Sequence, residues 1–228
     1  MGRWSISAAT RPILVVLVVL LAGCGGPPLY KGKPASYWRE ALKGTDAELR
    51  REAITAMGAL QVHDAVPGLI AALSDKDAKV RAKAAESLWS LGGADTPEAI
   101  PALIPLLKDK NANVRLSTAG ALGQIGPAAK AAIPALQASL KDNDVYTRAQ
   151  AATSLGQIGQ DADTVVPALI GALKDPGKEV RIAAAYALGE FGSDARSAIL
   201  ALKSMGNEKD GDIKTAAAFS IRAMEQGK

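Results

Sequence analysis

Three residue types in this chain keep step with one another at intervals of about 33 residues. Pro67, Pro101, Pro134 and Pro167 are spaced by 34, 33 and 33 positions. Arg81, Arg115, Arg148 and Arg181 repeat those intervals, as do Asp75, Asp109, Asp142 and Asp175. Arg50 lies 31 before Arg81 and Lys214 lies 33 after Arg181, so the phase runs from about residue 36 to the C-terminus. A unit this small cannot bury its apolar face alone, so such a chain must stack copies of one motif. The register places six units at roughly 36–62, 63–94, 97–128, 130–161, 163–194 and 195–228.

Within a unit the apolar spacing is helical twice over. Leu169, Ile170 and Leu173 share one helix face, and Pro167 suits a first turn, where its missing N–H is no loss. After a short turn, Val180, Ala184, Ala187, Leu188 and Phe191 form a second stripe, and Gly192 supplies a C-terminal stop. Val114/Thr118/Leu122/Ile125 with Gly126, and Val80/Ala84/Leu88/Leu91 with Gly92, read the same way. Period-two alternation appears nowhere after the leader, so no strand is expected. Ala85, Ala119, Ala152 and Ala185 follow the arginine by four, and Gly58, Gly123, Gly156 and Gly189 follow it by eight. Both offsets lie on one flank, where small side chains admit the next unit. Trp89 takes the glycine position in its own unit, either as a spacer in the core or as an exposed anchor, and Tyr37 with Trp38 is expected to cap the open end.

An early proline, an aspartate at the interhelical turn and an arginine six residues later resemble HEAT repeats. The ending Ala-Leu-Gly-x-Ile-Gly at 121–126, with Ser for Ala at 154–159, is similar to the short phycobilisome-lyase type. The resemblance implies an all-α, armadillo-like α-solenoid of about six helix-turn-helix repeats. It implies too that Asp75, Asp109, Asp142 and Asp175 form a hydrogen-bonded ladder between units with Arg81, Arg115, Arg148 and Arg181. Gly44 and Glu208 stand at the Asp position of the terminal units, and Lys214 replaces the last arginine, as capping units allow. In HEAT solenoids the second helices line the concave side. There, offsets of two, five and nine from the arginine point away from the core and select Lys83, Glu86, Ser90, Gln124, Gln150, Thr153, Gln157, Tyr186 and Glu190 as a partner-binding face.

The N-terminus reads as an address. Arg3 and Arg11 precede ten apolar residues, Ile13 to Ala22, too few to cross a ~30 Å hydrocarbon core as a helix. Leu21-Ala22-Gly23-Cys24 resembles the lipobox of bacterial lipoproteins, which implies cleavage before Cys24 and diacylglycerol on its thiol. Residues 1–23 are then a lipoprotein signal peptide, 24–35 a lipidated cysteine and flexible tether, and 36–228 the repeat domain. Gly25, rather than an acid, follows the cysteine, which by analogy with lipoprotein sorting favours the outer membrane in a bacterium with two.

Most chemistry is excluded by what the chain contains. With one Cys and one His (His63, in an interhelical loop), it can build neither an intramolecular disulfide nor a His-rich metal cluster such as the di-iron site of HEAT-like hydroxylases. A net charge of +4 spread over both signs does not describe a nucleic-acid binder. Gly123/Gly126 and Gly156/Gly159 end helices rather than cradle phosphate. The expectation is a non-catalytic, cofactor-free, monomeric scaffold anchored by lipid, binding another protein on its concave face. A lyase-like or chaperone protein for a bilin or tetrapyrrole, and a self-associating envelope component, are the alternatives.

Overall fold

The computed structural model describes residues 28–60, 65–91 and 96–226. The expected leader, the lipobox residues Leu21, Ala22, Gly23 and Cys24, His63 and the Gly92 stop lie outside the described residues. Helices pair in sequence: α1 (Ala35–Ala41) with α2 (Ala47–Ala59), α3 (Val66–Ala72) with α4 (Ala78–Leu91), and α5 (Ile100–Leu106) with α6 (Ala112–Ile125). Then come α7 (Ile133–Ser139) with α8 (Val145–Ile158), α9 (Ala162–Ala172) with α10 (Lys178–Glu190), and α11 (Ile199–Met205) with α12 (Gly211–Gln226). This is an all-α solenoid. No helix among the described residues is long and apolar enough to cross a membrane.

Local chemistry sets the helix ends. Asp46, Asp77, Asn111, Asp144 and Asp210 stand four residues before the ladder position, and each side chain accepts from the first backbone N–H groups of its second helix. Gly126, Gly159 and Gly192 adopt φ of 71°, 59° and 52° where second helices stop. Short 3-10 turns, Pro97–Ala99, Gly126–Ala132 and Gly192–Ala198, then lead into the following first helix. The fifth unit departs from this. Asp161 is also left-handed (φ 54°), so the reversal is complete earlier and α9 starts at Ala162. Pro167 therefore sits inside α9 rather than in its first turn, whereas Pro67, Pro101 and Pro134 do occupy first turns.

The second helices form an unbroken row, α2–α4–α6–α8–α10–α12, while successive first helices touch sparsely. One continuous apolar spine runs from Ile54 to Met224 and includes Leu69, Leu88, Leu103, Leu122, Leu136, Leu155, Leu169 and Leu188, all buried. Each such leucine contributes about 1.5–3 kcal/mol relative to exposure.

A smaller cluster around Trp38, Met57 and Ala65 closes the N-terminal end. Trp38 does this without Tyr37, which stays 42% exposed with its ring edge-on to Trp38. The end also carries an unexpected strand pair. β1 (Leu29–Tyr30) and β2 (Lys33–Pro34) are antiparallel, Leu29 opposite Pro34 and Tyr30 opposite Lys33, turning through Lys31 and Gly32 at positive φ. Residues 29–34, expected as tether, thus fold back: Trp38 Nε1 donates to Tyr30 O at 3.3 Å, and Lys31 Nζ pairs with Glu52 at 2.6 Å. Two residues per strand are too few for alternation to register in sequence.

Candidate functional site

Each ladder arginine spans two units. Arg81 donates from Nε and Nη2 to both carboxylate oxygens of Asp109 at 2.8 and 2.9 Å, and from Nη1 to the backbone O of Asp75 in its own unit at 2.7 Å. Arg148 does the same with Asp175 (2.8 and 2.9 Å) and Asp142 O (2.9 Å). The row extends to both terminal units: Arg50 grips Asp75 at 2.6 and 2.8 Å, and Arg181 reaches Glu208 at 2.9 Å. The carboxylates are further held by N–H groups two residues on, at Asp77, Asn111, Asp144 and Gly177, each 2.8 Å away.

These contacts govern ionisation. The Arg50 hydrogen bond holds Asp75 below the usual carboxylate range against the effect of burial. Burial pushes Asp109, Asp142 and Asp175 upward, but the arginine of the preceding unit, the backbone N–H and the neighbouring arginine together carry all three below that range. Four arginine side chains that could face an outside phosphate are only 8–17% exposed and already bidentate.

Beside the ladder, second helices approach closely at small residues. A Cβ on Gly156 would lie 2.8 Å from Ala187 Cα, and one on Gly123 would lie 2.6 Å from Ser154 Oγ. Ser154 and Ser220 use that closeness to donate across the interface to Ala119 O and Ala185 O, both at 2.7 Å. Trp89 is half-buried, packed on the spine with its ring over Gly120. The second-helix layer is thus drawn together on this side, while the first helices touch sparsely on the other.

The solvent face of that layer is what the interior leaves over. Glu86, Ser90, Gln124, Gln157, Tyr186 and Glu190 are exposed there, while Lys83, Gln150 and Thr153 are half-buried. Lys83 pairs with Glu86 at 3.0 Å, and Gln150 donates to Ser154 Oγ at 3.4 Å. Two large side chains escaped the sequence reading. Phe219, 48% exposed, is the offset-five residue of the sixth unit, visible once Lys214 is counted as the arginine. Tyr146, 60% exposed, lies one turn earlier on the α8 stripe. Phe219 meets Tyr186 with ring centroids 5.6 Å apart and a 60° tilt. On the opposite side a cavity of about 500 Å³ opens between α1 and α3, lined by Arg39, Leu42, Gly68 and the Arg50–Asp75 rung. No group of three His, Cys, Asp or Glu able to hold a metal occurs among the described residues.

The family model for HEAT repeats matches residues 35–92, 85–146 and 133–222. No curated protein matches the chain. Among solved structures, an engineered protein from the Northeast Structural Genomics Consortium is 21% identical, with TM-score 0.73 over 85% of this chain and 99% of its own. A second engineered protein from that consortium is 22% identical, with TM-score 0.68 over 85% and 97%. A designed armadillo repeat protein, solved in complex with the peptide (KR)4, is 15% identical, with TM-score 0.69 over 82% and 98%. At these identities the likeness is one of fold.

Proposed function

This chain belongs to the HEAT-repeat family, and from that premise we propose that it is a lipid-anchored, non-catalytic scaffold holding a protein partner against its second-helix face at the bacterial cell envelope. The observation that carries this reading is how the polar groups are used. The ladder arginines, their carboxylates and the interface serines are spent on joining units, and the second helices keep polar and aromatic side chains facing solvent from α4 to α12. That a designed armadillo repeat protein of similar fold was solved in complex with the peptide (KR)4 supports a peptide segment as the kind of ligand.

Cys24 following Leu21-Ala22-Gly23 supports the anchor, and Gly25 supports outer-membrane sorting where a second membrane exists. More than one acyl chain on Cys24 makes attachment durable, since one chain binds only marginally.

Metabolic labelling with palmitate in a bacterial host tests the anchor: the wild-type chain should be labelled and membrane-bound, and Cys24→Ser neither. An unlabelled wild-type chain overturns it. Capture from detergent-solubilised membranes tests the scaffold. One stoichiometric foreign protein supports it, whereas a preparation with Soret-like absorbance favours a tetrapyrrole handler and recovery of this chain alone favours self-assembly.

A further inference from the structure

Charge is distributed unequally along the second-helix face. Toward the N-terminal end its acids are already matched: Glu48 to Arg51, Glu52 to Lys31, and Glu86 to Lys83. Toward the C-terminal end Glu179 and Glu190 on α10 and Asp212 on α12 make no ion pair among the described residues, and all three are exposed. Helical spacing puts Glu179, Tyr186 and Glu190 on one stripe of α10, and Asp212 and Phe219 on the equivalent stripe of α12. The exposed large aromatics of this face stand in the same half, Tyr146 on α8 and the touching pair Tyr186–Phe219. Arg222, an exposed basic residue three after Phe219, sits eight after the ladder position, the offset that in earlier units faces the next repeat.

We propose that this C-terminal half of the face binds a cationic, extended polypeptide segment, its Lys or Arg side chains lying over Tyr146, Tyr186 and Phe219 and neutralised by Glu179, Glu190 and Asp212. The proposal rests on the scaffold reading and adds where on the scaffold the partner sits and what its chemistry is. Aromatic faces attract ammonium and guanidinium groups, and acids flanking an aromatic platform add attraction that an acidic segment would meet as repulsion. Tyr and Phe rings also expose broad contact area with few rotatable bonds to freeze. Charge complementarity thus selects the occupant: a neutral apolar helix would leave three carboxylates without partners, and an anionic segment would oppose them.

The test is a fluorescence-anisotropy titration of the purified full chain in a non-ionic detergent. The probes are two labelled peptides, one alternating Lys with Ala and one alternating Glu with Ala. The Lys peptide should bind at least about 10-fold more tightly than the Glu peptide, and raising salt from about 0.05 to about 0.3 M should weaken it severalfold. Tyr186→Ala with Phe219→Ala should cost about 10-fold or more, and Tyr186→Phe with Phe219→Tyr should restore it. Glu179→Gln with Glu190→Gln and Asp212→Asn should cost a similar factor and abolish the salt dependence. Glu40→Ala with Lys43→Ala, which removes an exposed ion pair at the end of the first helix α1, should leave affinity within about twofold. These side chains are exposed, so each variant should keep wild-type helicity. Equal binding of both peptides, binding of neither, or insensitivity to the aromatic and acid changes overturns the proposal. A membrane protein captured equally by wild type and by the charge-neutralised variant leaves the scaffold standing and removes only this assignment.

Discussion

Arg115 in one repeat closes on Asp142 in the next with two parallel hydrogen bonds, Nε to Oδ2 at 2.6 Å and Nη2 to Oδ1 at 2.7 Å. Its third nitrogen donates to Asp109 O in its own unit at 2.9 Å, so one guanidinium fixes both a turn and the spacing to the neighbour.

Asp142→Ala leaves a largely buried guanidinium without its carboxylate and should destabilise the protein by about 3 kcal/mol, in the range for breaking a buried pair. Arg115→Lys keeps the charge but not the fork, and should cost less, about 1–2 kcal/mol. Urea unfolding followed by circular dichroism reads both. An Asp142→Ala protein as stable as wild type would show that the ladder does not hold the stack.

The four ladder aspartates have folded-state pKa values below the ordinary value of 3.8. A depressed carboxylate contributes stability that is complete above its unfolded pKa and is lost as pH falls through the folded one. The melting temperature should therefore drop steeply on acidification below about pH 4. The gap between wild type and Asp142→Asn should narrow over the same range. A gap that stays constant to the acid limit would contradict the linkage.

Gly156→Ala places a methyl group 2.8 Å from Ala187 Cα, and backbone cannot swing aside as a side-chain tip can. Despite alanine's better helix propensity, the change should destabilise by about 1–3 kcal/mol through overpacking. Gly171→Ala, on a first helix with open space around it, should be neutral or stabilising. Thermal melts of the two variants should move in different directions.

Thr118 is fully buried, and its hydroxyl has no partner among the described residues. Thr118→Val keeps the shape and removes the unsatisfied oxygen, so stability should rise by about 1 kcal/mol. A loss of stability in denaturant titration would mean that the hydroxyl is satisfied.

Ser154→Ala removes the 2.7 Å bond to Ala119 O from a fully buried interface, leaving that carbonyl with only its helical partner. A cost of about 1 kcal/mol is expected. Faster hydrogen exchange along α6 and α8 is the accompanying readout.

Much of the architecture was legible because repetition amplifies weak signals. A single Pro, Asp or Arg says little, but each keeping one register over several units fixes the repeat length and hence the stacking. The N-cap row Asp46, Asp77, Asn111, Asp144 and Asp210 carries the same periodicity, four before the ladder residue, and is legible in the sequence on that count. The β1/β2 pair was invisible for a different reason: it is held by Trp38 and Glu52, contacts distant in sequence. Pro167 misled because two left-handed residues, Gly159 and Asp161, moved the start of α9, and backbone sign at Asp161 is not written in its residue type.

The sequence by itself determined the unit, its two helices, the apolar spine and the register of every ladder residue, because all of these are periodic and local. Only the tertiary structure decided which carboxylate each arginine grips, the one in the next repeat, since that depends on how far apart consecutive units settle. It also decided that Tyr186 and Phe219 touch across two repeats while Tyr37 stays outside the core. Such contacts are set by the close approach of α10 and α12 through Gly189 and Ser220, a distance that no stretch of one chain encodes alone.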